Sequence, residues 1–158
     1  MNGLMLTCLL AGMSLPALVN AATDLANNGE SIETLSRANY ATLPAPAGPY
    51  SVSVRHDRTL YLSGMTAFGT PAQGGPMAEQ AEAIFDQLER VTEAEGIGMK
   101  ELIKITIYVT SLEDVAALRD VLSRRYGDSR PASSLVRVAG LFSSEVGIEI
   151  EAIFALPG

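Results

Sequence analysis

Glu149 and Glu151 are the side chains in this sequence with the clearest capacity for acid–base chemistry. They sit two residues apart in Ile148-Glu149-Ile150-Glu151-Ala152, an alternating run that reads as a strand. Both carboxylates then project from one face, about 7 Å apart. A carboxylate beside another carboxylate, or partly removed from water, holds its proton to higher pH and works as a base nearer neutrality. The same alternation also describes a solvated sheet edge with no chemistry. His56, the single histidine, stands beside Asp57 where the sequence reads as a hairpin turn. A His-Asp pair is a general-base arrangement, although turn residues are usually just hydrated. One His and one Cys, at position 8, supply no convergent ligand set, so no metal site is expected. Gly64, Gly69, Gly74 and Gly75 fit neither a dinucleotide-binding nor a P-loop spacing, and Gly-x-Ser-x-Gly is absent.

The elements that must position these groups are legible from periodicity. Met77, Ala81, Ile84, Leu88 and Val91 recur at three- and four-residue intervals, with Phe85 and Ala94 widening the stripe. Glu79, Glu82, Asp86, Glu89 and Glu93 fall away from it, and Gly96 is placed to end the helix. A second helix is expected from Ser111, where Ser-x-x-Asp resembles a capping box, with Val115, Leu118, Leu122 and Tyr126 buried and Gly127 as its stop. Arg124 and Arg125 in its last turn oppose the negative end of the dipole. Strands are expected at 51–54 and 59–63, at 103–109 with Ile103, Ile105, Ile107 and Val109 on one face, at 135–138, and at 148–155. The order β-β-α-β-α-β-β, with helices apolar on one side only, predicts an α+β fold: a single sheet with two helices packed on one face. Tyr108 and Ile153 make the other sheet face more apolar than water favours, so it is expected to pack on partner subunits.

The 158 residues are enough for one domain, and 47% of them are hydrophobic. Eleven Lys and Arg against eighteen Asp and Glu leave a formal charge of -7, which argues against a general nucleic-acid binder. Residues 1–21 carry no charged side chain. The apolar run Leu4–Met13, Pro16 and Val19-Asn20-Ala21 read as a secretory signal peptide, too short to span a bilayer. A periplasmic or secreted protein is expected, with a cytoplasmic one as the alternative, and no membrane attachment once the leader is removed. Cleavage after Ala21 would also remove Cys8. Residues 22–43 read as a linker or N-terminal arm, with a helical turn near residues 32–35, and 44–158 as the folded domain.

Several motifs in order then resemble one family. Gly48-Pro49-Tyr50-Ser51, Leu62-Ser63-Gly64, Pro131-Ala132-Ser133-Ser134 and Ile148-Glu149-Ile150-Glu151-Ala152 resemble the Rid family (RidA/YjgF, reactive intermediate deaminases) over residues 44–155. The resemblance implies a chorismate-mutase-like fold and a homotrimer with three clefts between subunits. It also implies hydrolysis of enamine or imine intermediates such as 2-aminoacrylate to 2-keto acids and ammonia, without a cofactor. Carried over by position, the cleft would hold Glu149 as the candidate catalytic group and Tyr50, Ser63, Gly64, Ser133 and Ser134 around a small-molecule ligand.

The chain also departs from the family pattern. Active relatives carry an Arg after Pro-Ala that binds the substrate carboxylate, and this sequence has Ser133 there. Leu135, Met65, Gly140 and Phe142 replace a frequent Cys, Gln, Arg and Pro of the family. A buried Arg–carboxylate pair is bidentate and charge-assisted. Truncating one partner commonly costs about 2–5 kcal/mol. Arg130 and Arg137 are near in sequence, and Arg137 shares strand parity with Ser133 but lies about 13 Å along it, so rescue would need an unusual reach or another subunit. The expected function is therefore a Rid-type trimer binding a small polar metabolite with weak or absent archetypal deamination. The alternative is an active imine hydrolase on a less anionic substrate. A ribonuclease is disfavoured by the acidic charge and the single histidine.

Overall fold

A computed structural model describes residues 35–158 of the chain. The expected leader, most of the expected arm and residues 32–34 of its helical turn lie outside the described residues. The strands are β1 (Ser36–Ala38), β2 (Ser53–His56), β3 (Thr59–Thr66), β4 (Leu102–Val109), β5 (Ala132–Arg137) and β6 (Ile148–Ala155). The helices are α1 (Met77–Ala94) and α2 (Val115–Tyr126). The six strands form one sheet in the order β1-β2-β3-β6-β4-β5. Every pairing is antiparallel except β4 with β5, which run parallel because α2 carries the chain back between them.

Alternation along β4 and β6 sends Ile105, Ile107, Val109, Ile148, Ile150 and Phe154 to the helix-covered face, where each is fully buried. α1 meets them with Ile84, Phe85, Leu88 and Val91, also fully buried. The two helices thus cover one face of one sheet, as the periodicity implied. Gly96 follows α1 at φ +70, a left-handed conformation that glycine adopts without steric cost. Arg125 of α2 then bonds three acids of α1: its Nε donates to Glu82 at 2.6 Å, Nη2 to Asp86 at 2.6 Å and Nη1 to Glu89 at 3.0 Å. Burial alone would raise the Glu82 pKa, but the hydrogen bonds from Arg124 and Arg125 outweigh it and hold that carboxyl below its usual range. Three acids of the row that falls away from the α1 stripe thus clamp the two helices together.

Five local expectations change. Residues 36–38 of the expected arm form an edge strand, and Tyr40 anchors it: its hydroxyl donates to Glu95 Oε1 at 2.7 Å and lies 2.6 Å from Ser53 Oγ. Desolvation is the main reason the Tyr40 pKa is pushed up to about 12. Ile103 does not join Ile105 and Ile107 in the core. A register shift between Leu102 and Lys104 makes Leu102 the buried residue and leaves Ile103 half exposed. Ala94, at the end of the α1 stripe, is exposed. α2 begins at Val115, because Ser111 Oγ accepts from the Glu113 N–H in a local turn and no side-chain cap forms at Asp114. Its buried residues are Leu118 and Val121. β5 starts at Ala132, so Ser133 and Ser134 lie within the strand, and all six of its residues are exposed.

Candidate functional site

The site grows from an irregularity between β3 and β6. Leu62 pairs with Ala152 and Met65 with Ile150, so Ser63 and Gly64 together oppose Glu151 alone, a β-bulge. The bulge opens the sheet surface beside Glu149. Gly64 makes the seat: a Cβ built on it would stand 2.0 Å from Glu149 Oε1, so any side chain there displaces the carboxylate. Ser63 Oγ donates to the Ser51 carbonyl at 2.8 Å, tying the bulge to the segment that carries Tyr50.

A cavity of about 410 Å³ lies over this seat, walled by Tyr50, Ser63, Gly64, Thr66, Gln87 and Glu149. Phe68 and Phe142 form its rim, edge to face with ring centres 5.3 Å apart. Glu149 accepts no hydrogen bond from any described residue. Its pKa is raised first by desolvation and second by the charge of Glu151. Glu151 is exposed and accepts from the Tyr108 hydroxyl at 3.1 Å. That bond is the largest cause raising the Tyr108 pKa. The two carboxylates therefore differ, with Glu149 half-buried and proton-retaining and Glu151 solvated. No Lys, Arg or His lines the cavity.

Four of the six candidate residues meet in this cavity: Tyr50, Ser63, Gly64 and Glu149. Ser133 and Ser134 do not. β5 lies two strands from β6, with β4 between them. Ser134 shares the open sheet face and accepts from Lys104 Nζ at 2.7 Å. Ser133 points the other way, into a separate cleft of about 370 Å³ with Arg119, Ser123, Tyr126 and Arg130. His56 ends β2 beside a tight turn in which Asp57 takes φ +51, and neither residue lines either cavity.

Gln87 is a cavity residue that sequence reasoning missed. Its Nε2 donates to the Thr66 carbonyl at 2.9 Å and steadies the strand end beside the bulge. The signal was present, since Gln80 and Gln87 fall one heptad apart on the buried side of α1. An amide on an apolar stripe must find partners. Gln80 finds the Gly75 carbonyl at 2.8 Å and the Gly147 N–H at 2.9 Å.

The family described as Endoribonuclease L-PSP matches residues 41–156. The chain belongs to this Rid/YjgF/L-PSP family. It is 33% identical over 116 residues to a 2-iminobutanoate/2-iminopropanoate deaminase of Dermatophagoides farinae, covering 72% of this chain and 90% of that protein. It is 36% identical over 128 residues to the RutC family protein UK114 of Drosophila melanogaster, covering 78% and 88%. The crystal structure of RidA from the Antarctic bacterium Psychrobacter sp. PAMC 21119 superposes with a TM-score of 0.69 at 28% identity, over 77% of this chain and 99% of that one.

Proposed function

We propose that the protein is a homotrimeric imine hydrolase of the Rid type, releasing ammonia from a small 2-imino acid with Glu149 as its proton-transfer group. The observation that carries this reading is the Glu149 carboxylate: seated against Gly64, desolvated and unpaired, at the floor of a cavity sized for a small metabolite. Glu149 accepts a proton from water as the water oxygen bonds to the imine carbon, and the C=N electron pair moves to nitrogen, which takes up a proton. The resulting carbinolamine expels ammonia and leaves a 2-oxo acid, so one water is consumed per ammonia released. A carboxyl with a raised pKa suits both directions of proton transfer better than an ordinary one. Relatives named as 2-iminobutanoate/2-iminopropanoate deaminases support this substrate class. Tyr61, Ile103 and Val136 are each more than two-fifths exposed, which supports association with further copies.

A second reading, a ligand-binding trimer with weak or no archetypal turnover, is favoured by the cavity's lack of any cation. One assay separates the two. 2-Iminobutanoate is generated in situ by oxidising 2-aminobutanoate, and release of 2-oxobutanoate is followed with and without the protein. The hydrolase reading expects acceleration that Glu149→Gln reduces about 10²–10⁴-fold. A wild-type rate equal to the uncatalysed background favours the binding reading. Full activity in Glu149→Gln removes Glu149 from the chemistry.

A further inference from the structure

Ser133 stands where the family resemblance places a carboxylate-gripping Arg, yet the structure surrounds this serine with other guanidiniums. Its cleft lies between the C-terminal half of α2 and the segment entering β5. Arg119, Ser123 and Tyr126 follow one another at four- and three-residue steps and so share one side of α2. Arg130 closes the cleft from the loop before β5. Neither Arg119 nor Arg130 forms an ion pair with any described residue, whereas Arg55, Arg124 and Arg125 are each bound to α1 or its end. No carboxylate lines the cleft.

Tyr126 lines the same cleft. Its hydroxyl oxygen is buried and has no hydrogen-bond partner, while its ring packs edge-on against Phe85 at 5.9 Å. A buried phenol without a partner is unfavourable until an acceptor arrives. Burial also pushes its pKa up to about 12, so the phenol keeps its proton.

We infer that the α2–β5 cleft is the acid-binding subsite of the enzyme, with Arg119 and Arg130 supplying from α2 and its following loop the positive charge that Ser133 does not. A hydroxymethyl group at 133 leaves room for two longer side chains to converge on a carboxylate, and a guanidinium binds one through paired N–H donors. The cleft and the Glu149 cavity share no wall residue within one chain. A cyclic assembly brings different patches of neighbouring copies together, so each complete site takes its base from one copy and its guanidiniums from the next. This inference rests on the hydrolase reading for its substrate but can be tested without it.

Calorimetry with 2-oxobutanoate, the product acid, reads the subsite directly. Arg119→Gln and Arg130→Gln should each weaken binding about 10-fold or more, and the pair together about 100-fold. Both side chains are exposed, so melting temperatures should hold. Glu149→Gln should keep the affinity. Under turnover the arginine variants should raise KM, while Glu149→Gln lowers kcat. Refolding an equal mixture of Glu149→Gln and Arg119→Gln chains should restore about one quarter of the sites, because each rescued site needs one intact half from each of two neighbours. Absent binding, or binding equal in the double arginine variant, overturns the inference even if Glu149-dependent turnover is normal. Arginine-dependent binding without any imine turnover upholds it and removes the hydrolase reading instead.

Discussion

The Glu149 cavity and the α2–β5 cleft are two hollows of this chain, and they are chemical opposites. One holds a desolvated carboxylate and no cation, and the other holds two guanidiniums and no carboxylate. Their surroundings differ as well. Glu149 projects from β6, a central strand whose inward residues are fully buried, and its seat is fixed by the bulge and by Gln87. The basic cleft hangs on an edge strand with every residue exposed and on a helix that buries only Leu118 and Val121. On the proposed reading, the group that must exchange a proton sits on a strand with fully buried neighbours. The groups needing only charge and reach sit where packing is thin. Within one chain Glu149 and the two guanidiniums line different hollows, so the carboxylate is not neutralised by either of them.

Perturbing each hollow separately tests the contrast. The largest effect after loss of Glu149 itself should come from Gly64→Ala. The added methyl displaces the Glu149 carboxylate, so turnover should fall about 10- to 100-fold. Stability should change little, because every atom the methyl would crowd belongs to the flexible Glu149 side chain and none to backbone. Normal kcat in this variant would mean that the carboxylate position is unimportant. Arg125→Ala acts on the other side of the comparison. It removes the bonds to Glu82, Asp86 and Glu89 that hold α2 to α1, and unfolding in urea should show a loss of about 1–2 kcal/mol. That loss should be accompanied by weaker 2-oxobutanoate binding, whereas an undiminished affinity would show that the cleft does not depend on this clamp.

The smallest effect is a pH signature. The Glu149 pKa is raised in the folded state, so its ionisation disfavours folding. The group's contribution to stability is intact below its unfolded pKa and is lost as pH rises through the raised folded value. Glu149→Gln should therefore melt up to a few degrees higher than wild type at pH 7. The gain should shrink as pH falls into the range where both states carry the proton. A gain that persists in acid would point to packing instead of charge.

Much of this was legible in the residues. The α1 stripe and the alternation in β6 indicated which sides face the core, and both hold in the structure except at Ala94. Ile103 escaped because alternation assumes an unbroken ladder, and the register shift beside it has no local marker. The start of α2 escaped because Ser111 satisfies a turn as readily as a cap. At the site, Tyr50, Ser63, Gly64 and Glu149 were found through motif resemblance, and the structure brings them to one cavity. Arg119 was not legible because it lies on α2, fourteen residues before Ser133, and only the fold brings the two to one cleft. Its place beside Leu122 and Tyr126 on α2 is a charge at the margin of an apolar stripe, and the partners across the cleft are set by tertiary packing.

The doubled residue opposite Glu151 has a consequence for how the chain tolerates length changes. Leu60 and Leu62 point inward from even positions, whereas Met65 and Ala67 point inward from odd ones. The strand thus switches phase at Ser63-Gly64. Removing either residue would leave a single residue opposite Glu151 and restore plain alternation, with Met65 and Ala67 still inward and Thr66 still outward. Length and chemistry come apart at this point: a strand one residue shorter would keep its buried side chains in step and lose only the room made for an acid.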